Sequence, residues 1–236
     1  HAGGVNRGGA VIDIAAGRVL VLSGSDFRFE NGSAVTGAGA LTLQAGHVST
    51  IVATIDGRAS FSNLVLANGT IAGTHTLDGQ LRWSLGALGS GGTTTIAPGA
   101  TLLIENTGSN HDHAGRTLVN QGTVHWTGGD IRGGSSGALA SSIVNAGLWL
   151  DEHGDANFRI ADDNAPAGSS RLFDNAGTYR KTGSGTTSFV AQRLDNSGRI
   201  ELAEGALLLH AGGVNRGGAV IDIAAGRALV LSGSDF

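Results

Sequence analysis

Residues 119–126 read VNQGTVHW, and residues 144–150 read VNAGLWL. In both stretches an apolar residue precedes Asn, any residue and then Gly follow, and alternating apolar residues come next. The motif recurs at residues 175–179, 196–200 and 215–217, so that successive asparagines are 25, 30, 21 and 19 residues apart. Such intervals are typical of one coil of a parallel β-helix whose loops vary in length.

The Asn and Gly of this motif are expected at sharp corners between strands. Gly, and next to it Asn, tolerates the positive φ that such corners often need. In a solenoid the same corner recurs about every 4.8 Å, so the Asn side chains can form a hydrogen-bonded ladder along the axis. The alternative is that the motif marks ordinary hairpin turns of an antiparallel sandwich. The predicted turn ladder consists of Asn120, Asn145, Asn175, Asn196 and Asn215 with Gly122, Gly147, Gly177, Gly198 and Gly217.

A second motif has a strand, then Ala-x-Gly, then another strand. It occurs at residues 12–22, 95–104 and 200–209. Apolar residues alternate on both sides of the Gly, which places one set of side chains inward and the other outward. Residues 192–210 are rich in Leu, Ala, Glu and Arg and also suit a short helix, but Gly198 and Gly205 interrupt them and both motifs are present. We therefore predict strands there.

The first 27 residues return as residues 210–236, with Val19 replaced by Ala228, at an offset of 209 residues. A segment cut from an array of 209-residue units would show this overlap, whereas a self-contained domain has no physical reason to. We therefore expect residues 1–236 to form one continuous β-solenoid. We also expect the two copies to superpose closely and to be related mainly by a translation along its axis.

Composition narrows the class of protein further. The chain has 41 Gly, 2 Pro, 40% hydrophobic and 14% charged residues, which excludes disorder and collagen. A net charge of −4 without a basic stripe makes nucleic acid an unsuitable partner. The chain has no Cys, hence no disulfide or thiolate site. No apolar run reaches the roughly 18 residues of a membrane span, so membrane insertion is not expected.

The order of motifs between Asn68 and Gly213 resembles a repeat module of very large secreted bacterial surface and adhesin-like proteins. The resemblance implies a right-handed parallel β-helix in an exported protein, and it implies no catalytic or cofactor-binding residues. The motifs that carry it are GTIAG at 69–73, LRW at 81–83, TTTIAPGATL at 93–102, RTLVNQGTVHW at 116–126, FDNAGTYRK at 173–181 and NSG at 196–198.

Three groups of residues suggest chemistry. His111-Asp112-His113 could share a metal ion, because alternate residues of a strand project from one face, although a solvated loop fits better. The acidic runs 151–155 and 162–164 could hold Ca²⁺, but they match neither an EF-hand nor a calcium β-roll. Carboxylates on some β-helices cleave polysaccharides, yet nothing shows these converging.

Trp83, Trp126, Trp149 and Tyr179 could form a strip for sugar stacking, although packing inside the coils is the better interpretation. We predict a stiff rod of roughly nine to eleven coils, a structural or adhesive repeat outside the bacterial cell and not an enzyme. Its expected partners are adjacent copies of the repeat, stacked head to tail, and a polysaccharide of the cell surface or matrix. The alternative function is a carbohydrate-binding or polysaccharide-cleaving β-helix.

Overall fold

A computed structural model describes residues 3–46, 51–89, 91–105, 108, 110–113, 115–133, 141–154, 157–161 and 172–233. Within these ranges all regular structure is β-strand, in short segments that pair side by side in parallel. None of the described residues belongs to a helix that could cross a membrane. The strands stack as a β-solenoid of about nine turns, which confirms the predicted fold and excludes the antiparallel sandwich.

Each coil contributes one strand to each of three faces. Face 1 consists of β1 (Gly4–Asn6), β4 (Ser25–Phe29), β7 (Ile51–Ile55), β9 (Thr70–Ala72), β11 (Gly86–Leu88), β14 (Asn110–Asp112), β17 (Asp130–Arg132), β20 (Phe158–Ala161), β23 (Thr186–Val190), β26 (Ala206–Leu209) and β29 (Ala228–Leu231). Face 2 consists of β2 (Val11–Asp13), β5 (Ala34–Thr36), β12 (Thr93–Ile96), β15 (Thr117–Asn120), β18 (Ser142–Asn145), β21 (Leu172–Asn175), β24 (Arg193–Asn196) and β27 (Gly213–Asn215). Face 3 consists of β3 (Val19–Leu22), β6 (Ala40–Gln44), β13 (Thr101–Ile104), β16 (Thr123–Trp126), β19 (Leu148–Asp151), β22 (Thr178–Lys181), β25 (Arg199–Leu202) and β28 (Val220–Ile223).

Two long strands join faces 2 and 3. β8 (Gly57–Asn68) and β10 (His75–Trp83) run through the corner, and each pairs with strands of both faces. Gly79 lies at this corner of β10 with φ 90°, and a Cβ there would lie 2.0 Å from the carbonyl oxygen of Phe61 in the coil below. Only glycine fits a backbone that approaches its neighbour so closely.

The alternation of apolar residues gives each strand one buried set of side chains. In β13 and β16, for example, every second residue is buried. Because the strands are parallel and in register, equivalent side chains stack along the axis. One such inward column runs Leu20, Leu41, Leu64, Leu81, Leu102, Val124, Trp149, Tyr179, Ile200 and Ile221.

The region between Gln192 and His210 consists of strands. β24, β25 and β26 cross faces 2, 3 and 1 in turn and pair with the coils on either side. Burial of Leu194, Ile200 and Leu207 between those coils outweighs the helix propensity of this stretch. The strand prediction is therefore confirmed, and the helical alternative is excluded.

The two copies of the repeated segment have the same local structure. Ala10 N donates to Arg7 O at 2.9 Å, and Ala219 N donates to Arg216 O at 3.0 Å. The glycines inside these turns, Gly9 and Gly218, have φ of 77° and 86°. Inward and outward residues also correspond between the copies, because the side-chain period of a strand is two.

The copies nevertheless lie on different faces, so a turn of one face accompanies the expected translation along the axis. The first copy places GVN, VID and VLVL on faces 1, 2 and 3, whereas the second places GVN, VIDI and ALVL on faces 2, 3 and 1. The cause lies in the length of chain between the copies. β26 occupies face 1 nine coils after β1, and only residues 210–212 connect it to β27. Three residues span at most about 11 Å, which reaches only the next face. The offset therefore equals nine coils and one further face.

Candidate functional site

The five asparagines of the N-x-G motif lie in one column at the end of face 2. Each side-chain Nδ2 donates to the Oδ1 of the next asparagine, with distances of 2.7, 2.7, 2.8 and 2.7 Å from Asn120 to Asn215. The same Nδ2 atoms also donate to backbone carbonyls of the next coil, such as Leu148 O at 3.0 Å. Asn120, Asn145 and Asn175 are completely buried, and Asn215 is exposed at the end of the ladder. The buried amides are thus satisfied by their own repetition.

The glycines of this motif are required for a reason other than the predicted positive φ. Among them Gly122, Gly147, Gly177 and Gly198 are stacked directly, and none has φ in the left-handed region. A Cβ on Gly177 would lie 2.2 Å from the carbonyl oxygen of Gly147. The corner therefore requires glycine because successive backbones touch there. The prediction that positive φ selects these glycines is wrong.

A buried polar cluster occupies the interior between β19, β22 and β23. Tyr179 Oη and Thr187 Oγ1 both donate to Asp151 Oδ2 at 2.5 Å, and Lys181 Nζ lies 3.2 Å from Asp151 Oδ1. His153 Nε2 lies 2.8 Å from Thr187 Oγ1. Burial, and then the charge of Asp151, raises the pKa of Tyr179 well above its ordinary value, whereas burial lowers the pKa of Lys181. Enclosure of all five side chains assigns this cluster to the interior of the rod.

A second cluster lies where face 1 turns into face 2. The Arg116 side chain is buried and donates to Gly89 O at 2.7 Å, Gly73 O at 2.9 Å and Thr94 Oγ1 at 2.8 Å. Thr94 Oγ1 is also 3.0 Å from His75 Nε2. Burial lowers the pKa of Arg116 to about 10. This guanidinium closes the corner by binding carbonyl oxygens of two preceding coils.

The structure corrects the prediction of a solvated loop at His111-Asp112-His113. Asn110–Asp112 is a strand, and His111 and His113 are completely buried side chains on the same side of the backbone. Nε2 of His111 lies 2.8 Å from Glu105 O, and its ring packs edge-on against Trp83 at 5.2 Å. The described residues hold no cluster of three or more His, Cys, Asp or Glu side chains suited to a metal ion. The alternate spacing of His111 and His113 therefore marks the inward-facing side of this coil.

The other candidate site residues either point into the solenoid or lie apart from one another. Trp83, Trp126, Trp149 and Tyr179 are all completely buried, which confirms the packing interpretation. In the first acidic run Asp151 faces the interior while Glu152 faces outward and contacts His125 Nδ1 at 2.7 Å. Asp155 and the run 162–164 lie outside the described residues.

Outward residues add ion pairs between neighbouring coils that the sequence analysis missed. The two residues of each pair lie about 20 or more positions apart in the sequence. They can therefore be matched only once the register of the strands is known. The side chains are partly exposed, so these pairs favour the correct register more than they add stability. Such pairs join Arg58 to Asp78, Arg82 to Glu105, Arg132 to Asp112, Arg159 to Asp130, Arg180 to Glu201 and Arg199 to Asp222.

Exposed large apolar side chains are confined to the two terminal coils among the described residues. Val5, Val11, Val19 and Val21 belong to the first copy of the repeated segment, and Val214, Val220, Ile223, Val230 and Leu231 belong to the second. The lateral surface of the coils between them carries no such residue in the described ranges. Most of these side chains point outward, and they are exposed because no further coil covers them on one side. The inward residues of the same coils, such as Leu20 and Ile221, are only partly buried. The terminal coils are therefore the regions of this structure most suited to bind another coil.

The chain was compared with protein-family models, with curated proteins and with solved structures, and none of them matches. The class to which it can be assigned is that of its architecture, a three-faced parallel β-solenoid with an internal asparagine ladder.

Replacing Gly177 with Ala tests the stacked-glycine corner. The new Cβ would clash with the Gly147 carbonyl, so we expect a loss of about 1–3 kcal/mol in the free energy of unfolding. Gly217→Ala is the matched control, since its Cβ would meet no atom within 4 Å. Urea unfolding of both variants measures the difference. Equal effects of the two substitutions would contradict the steric account.

Acid is expected to destabilise the chain through its buried histidines. Burial lowers the pKa of His75 and of His113 from 6.5 to about 4, so the unfolded chain binds more protons between these values. Stability contributed by the neutral rings is present above about pH 6.5 and is lost as the pH falls toward about 4, by up to about 3 kcal/mol per histidine.

His113→Leu should reduce this loss, because it removes one of the two titrating rings. Leucine should be tolerated at this position, since neither ring nitrogen of His113 has a hydrogen-bond partner among the described residues. We expect unchanged or higher stability at neutral pH and a shallower decline on acidification. His210→Gln, at an exposed ring, serves as the control. Urea midpoints measured across this pH range test the prediction, and an undiminished decline in His113→Leu would refute it.

Proposed function

We propose that the chain is a structural or adhesive repeat of an extracellular bacterial surface protein or fibre. In this role coil-on-coil stacking produces a stiff rod, and copies follow one another head to tail. The observation that carries the proposal is the restriction of exposed large apolar residues, within the described ranges, to the two terminal coils. Each terminal coil lacks one neighbour, so a further copy stacked on it would pair its free strand edges and cover its apolar side chains.

Stiffness follows from how the interior is held. Every inner strand pairs with a strand above and a strand below, and the asparagine column ties successive coils by side chains as well. Bending such a stack would break backbone hydrogen bonds on one face. The extracellular location is supported by the resemblance of residues 68–213 to secreted surface repeats.

The alternative function, a carbohydrate-binding or polysaccharide-cleaving β-helix, receives less support from the described residues. Sugar stacking needs exposed aromatic rings, whereas Trp83, Trp126, Trp149 and Tyr179 are buried. The carboxylate of Asp151 is enclosed as well. A glycan screen discriminates an inert structural shaft from the alternative, because such a shaft shows neither affinity nor product.

A chain extended to two units by the addition of 209 residues should be longer than the present chain by about 45 Å, since each coil rises about 4.8 Å. The cross-section should stay constant. Small-angle X-ray scattering measures both quantities. A two-unit protein whose maximum dimension grows by much less, with a thicker cross-section, would show that units fold back on one another and would contradict the rod.

A further inference from the structure

The repeated segment appears twice in one structure, in two different surroundings. Residues 3–24 and their counterparts 212–233 are both described. The first copy pairs with the coil that follows it in the chain, and the second copy pairs with the coil that precedes it. Together the two copies show both edges of one coil with a partner in place.

The second copy shows how the segment binds the coil below it. Asn215 accepts a hydrogen bond from Asn196 at 2.7 Å and so extends the ladder. Arg216 pairs with Asp195 at 3.0 Å, and Arg227 pairs with Glu204 at 2.6 Å.

The first copy shows how the segment binds the coil above it, which is formed by residues 28–46. Glu30 N donates to Asn6 O at 3.0 Å, and Gly39 N donates to Ile14 O at 2.9 Å. The lower edge pairs through its backbone as well, since Arg216 N donates to Asn196 O at 2.8 Å.

The two sets of contacts are compatible in a single copy. The residue that takes part in both is the aspartate, Asp13 in the first copy and Asp222 in the second. Thr36 donates to Oδ1 of Asp13 at 2.9 Å, and Arg199 donates to Oδ2 of Asp222 at 2.9 Å. A carboxylate can accept hydrogen bonds at both of its oxygens, so one copy can bind both coils at once.

We propose that residues 212–233 of one chain bind the coil of residues 28–46 in a second copy of the chain, in the place that residues 3–24 of that copy occupy. This proposal rests on the proposed head-to-tail rod and specifies its joint. The repeated segment becomes a junction coil shared by two chains, and residues 3–24 of the second chain are displaced.

The release of one ordered segment offsets the entropy that association of two chains costs. The contacts on the coil of residues 28–46 are made once in either state, by nearly identical sequences. The one difference, Val19 against Ala228, falls on an outward side chain that is 59% exposed in the first copy. The exchanged state orders one segment where the separate chains order two, so the displaced segment regains its conformational freedom.

The shift of face determines how joined units are oriented. In its own chain the GVN strand of the second copy lies on face 2, whereas in the next chain it takes the place of a strand on face 1. Each unit is therefore turned by one face relative to the unit before it. A given lateral feature of the unit then appears on each of the three faces in turn along the rod.

Intermolecular disulfides test the joint in the full chain, which has no Cys of its own. Chains carrying Asp222→Cys are mixed with chains carrying Thr36→Cys under mild oxidation. Asp13 and Thr36 are neighbours on adjacent strands, so the exchanged segment brings the two introduced thiols within disulfide range. We expect a covalent heterodimer, and loss of it when excess unlabelled chain is added.

Two control mixtures report other ways of joining the ends. Asp222→Cys with Asp13→Cys gives a heterodimer if one copy stacks directly on the other with a turn of one face. Asp222→Cys with Val21→Cys gives one if the ends stack with faces 3 aligned. Both Asp13 and Val21 lie outward on the first coil, so neither variant disturbs the interior.

A heterodimer with Thr36→Cys alone supports the exchange. A heterodimer with Asp13→Cys or Val21→Cys in its place overturns the exchange but leaves the head-to-tail rod standing. Oligomers in sedimentation without any of the three heterodimers have the same consequence. Monomers at high concentration that form none of the heterodimers would overturn both the exchange and the head-to-tail association.

Discussion

Parallel backbone pairing between successive coils is the constraint on which the rest of this structure depends. It fixes the spacing of the coils at about 4.8 Å and places equivalent residues above one another. The type of residue at each position therefore depends on the equivalent residues in the coils above and below. Leucines lie on leucines, an aspartate lies beneath a lysine, and outward carboxylates face arginines one coil away.

The asparagine column illustrates how polar groups enter such an interior. A single buried amide would leave donors and acceptors unsatisfied, which is costly. Repetition solves this problem, because each asparagine donates to the next and the exposed Asn215 ends the series. The stacked glycines beside it complete the corner by letting backbones touch. The proposed rod extends the same arrangement beyond one unit through the repeated segment.

Much of this could be predicted from sequence alone. The N-x-G spacing and the period-two alternation indicated a parallel solenoid and the residues of its corner, because both reflect local geometry. The face of each strand could not be predicted, because it depends on counting corners through loops of variable length. For the same reason the pairing of Asp151 with Lys181 and the shifted position of the second copy were missed. His111 and His113 were misplaced because a polar sequence was given more weight than its alternation.

Native-state hydrogen exchange tests the central claim most directly, namely that each coil is stabilised by its two neighbours. Amides of the middle coils, such as those of β15 and β16, should exchange slowest. Protection should fall stepwise toward both ends and reach its lowest values in β2 and β28, which belong to the terminal coils. Equal protection of terminal and central strands would contradict nearest-neighbour stacking as the source of stability.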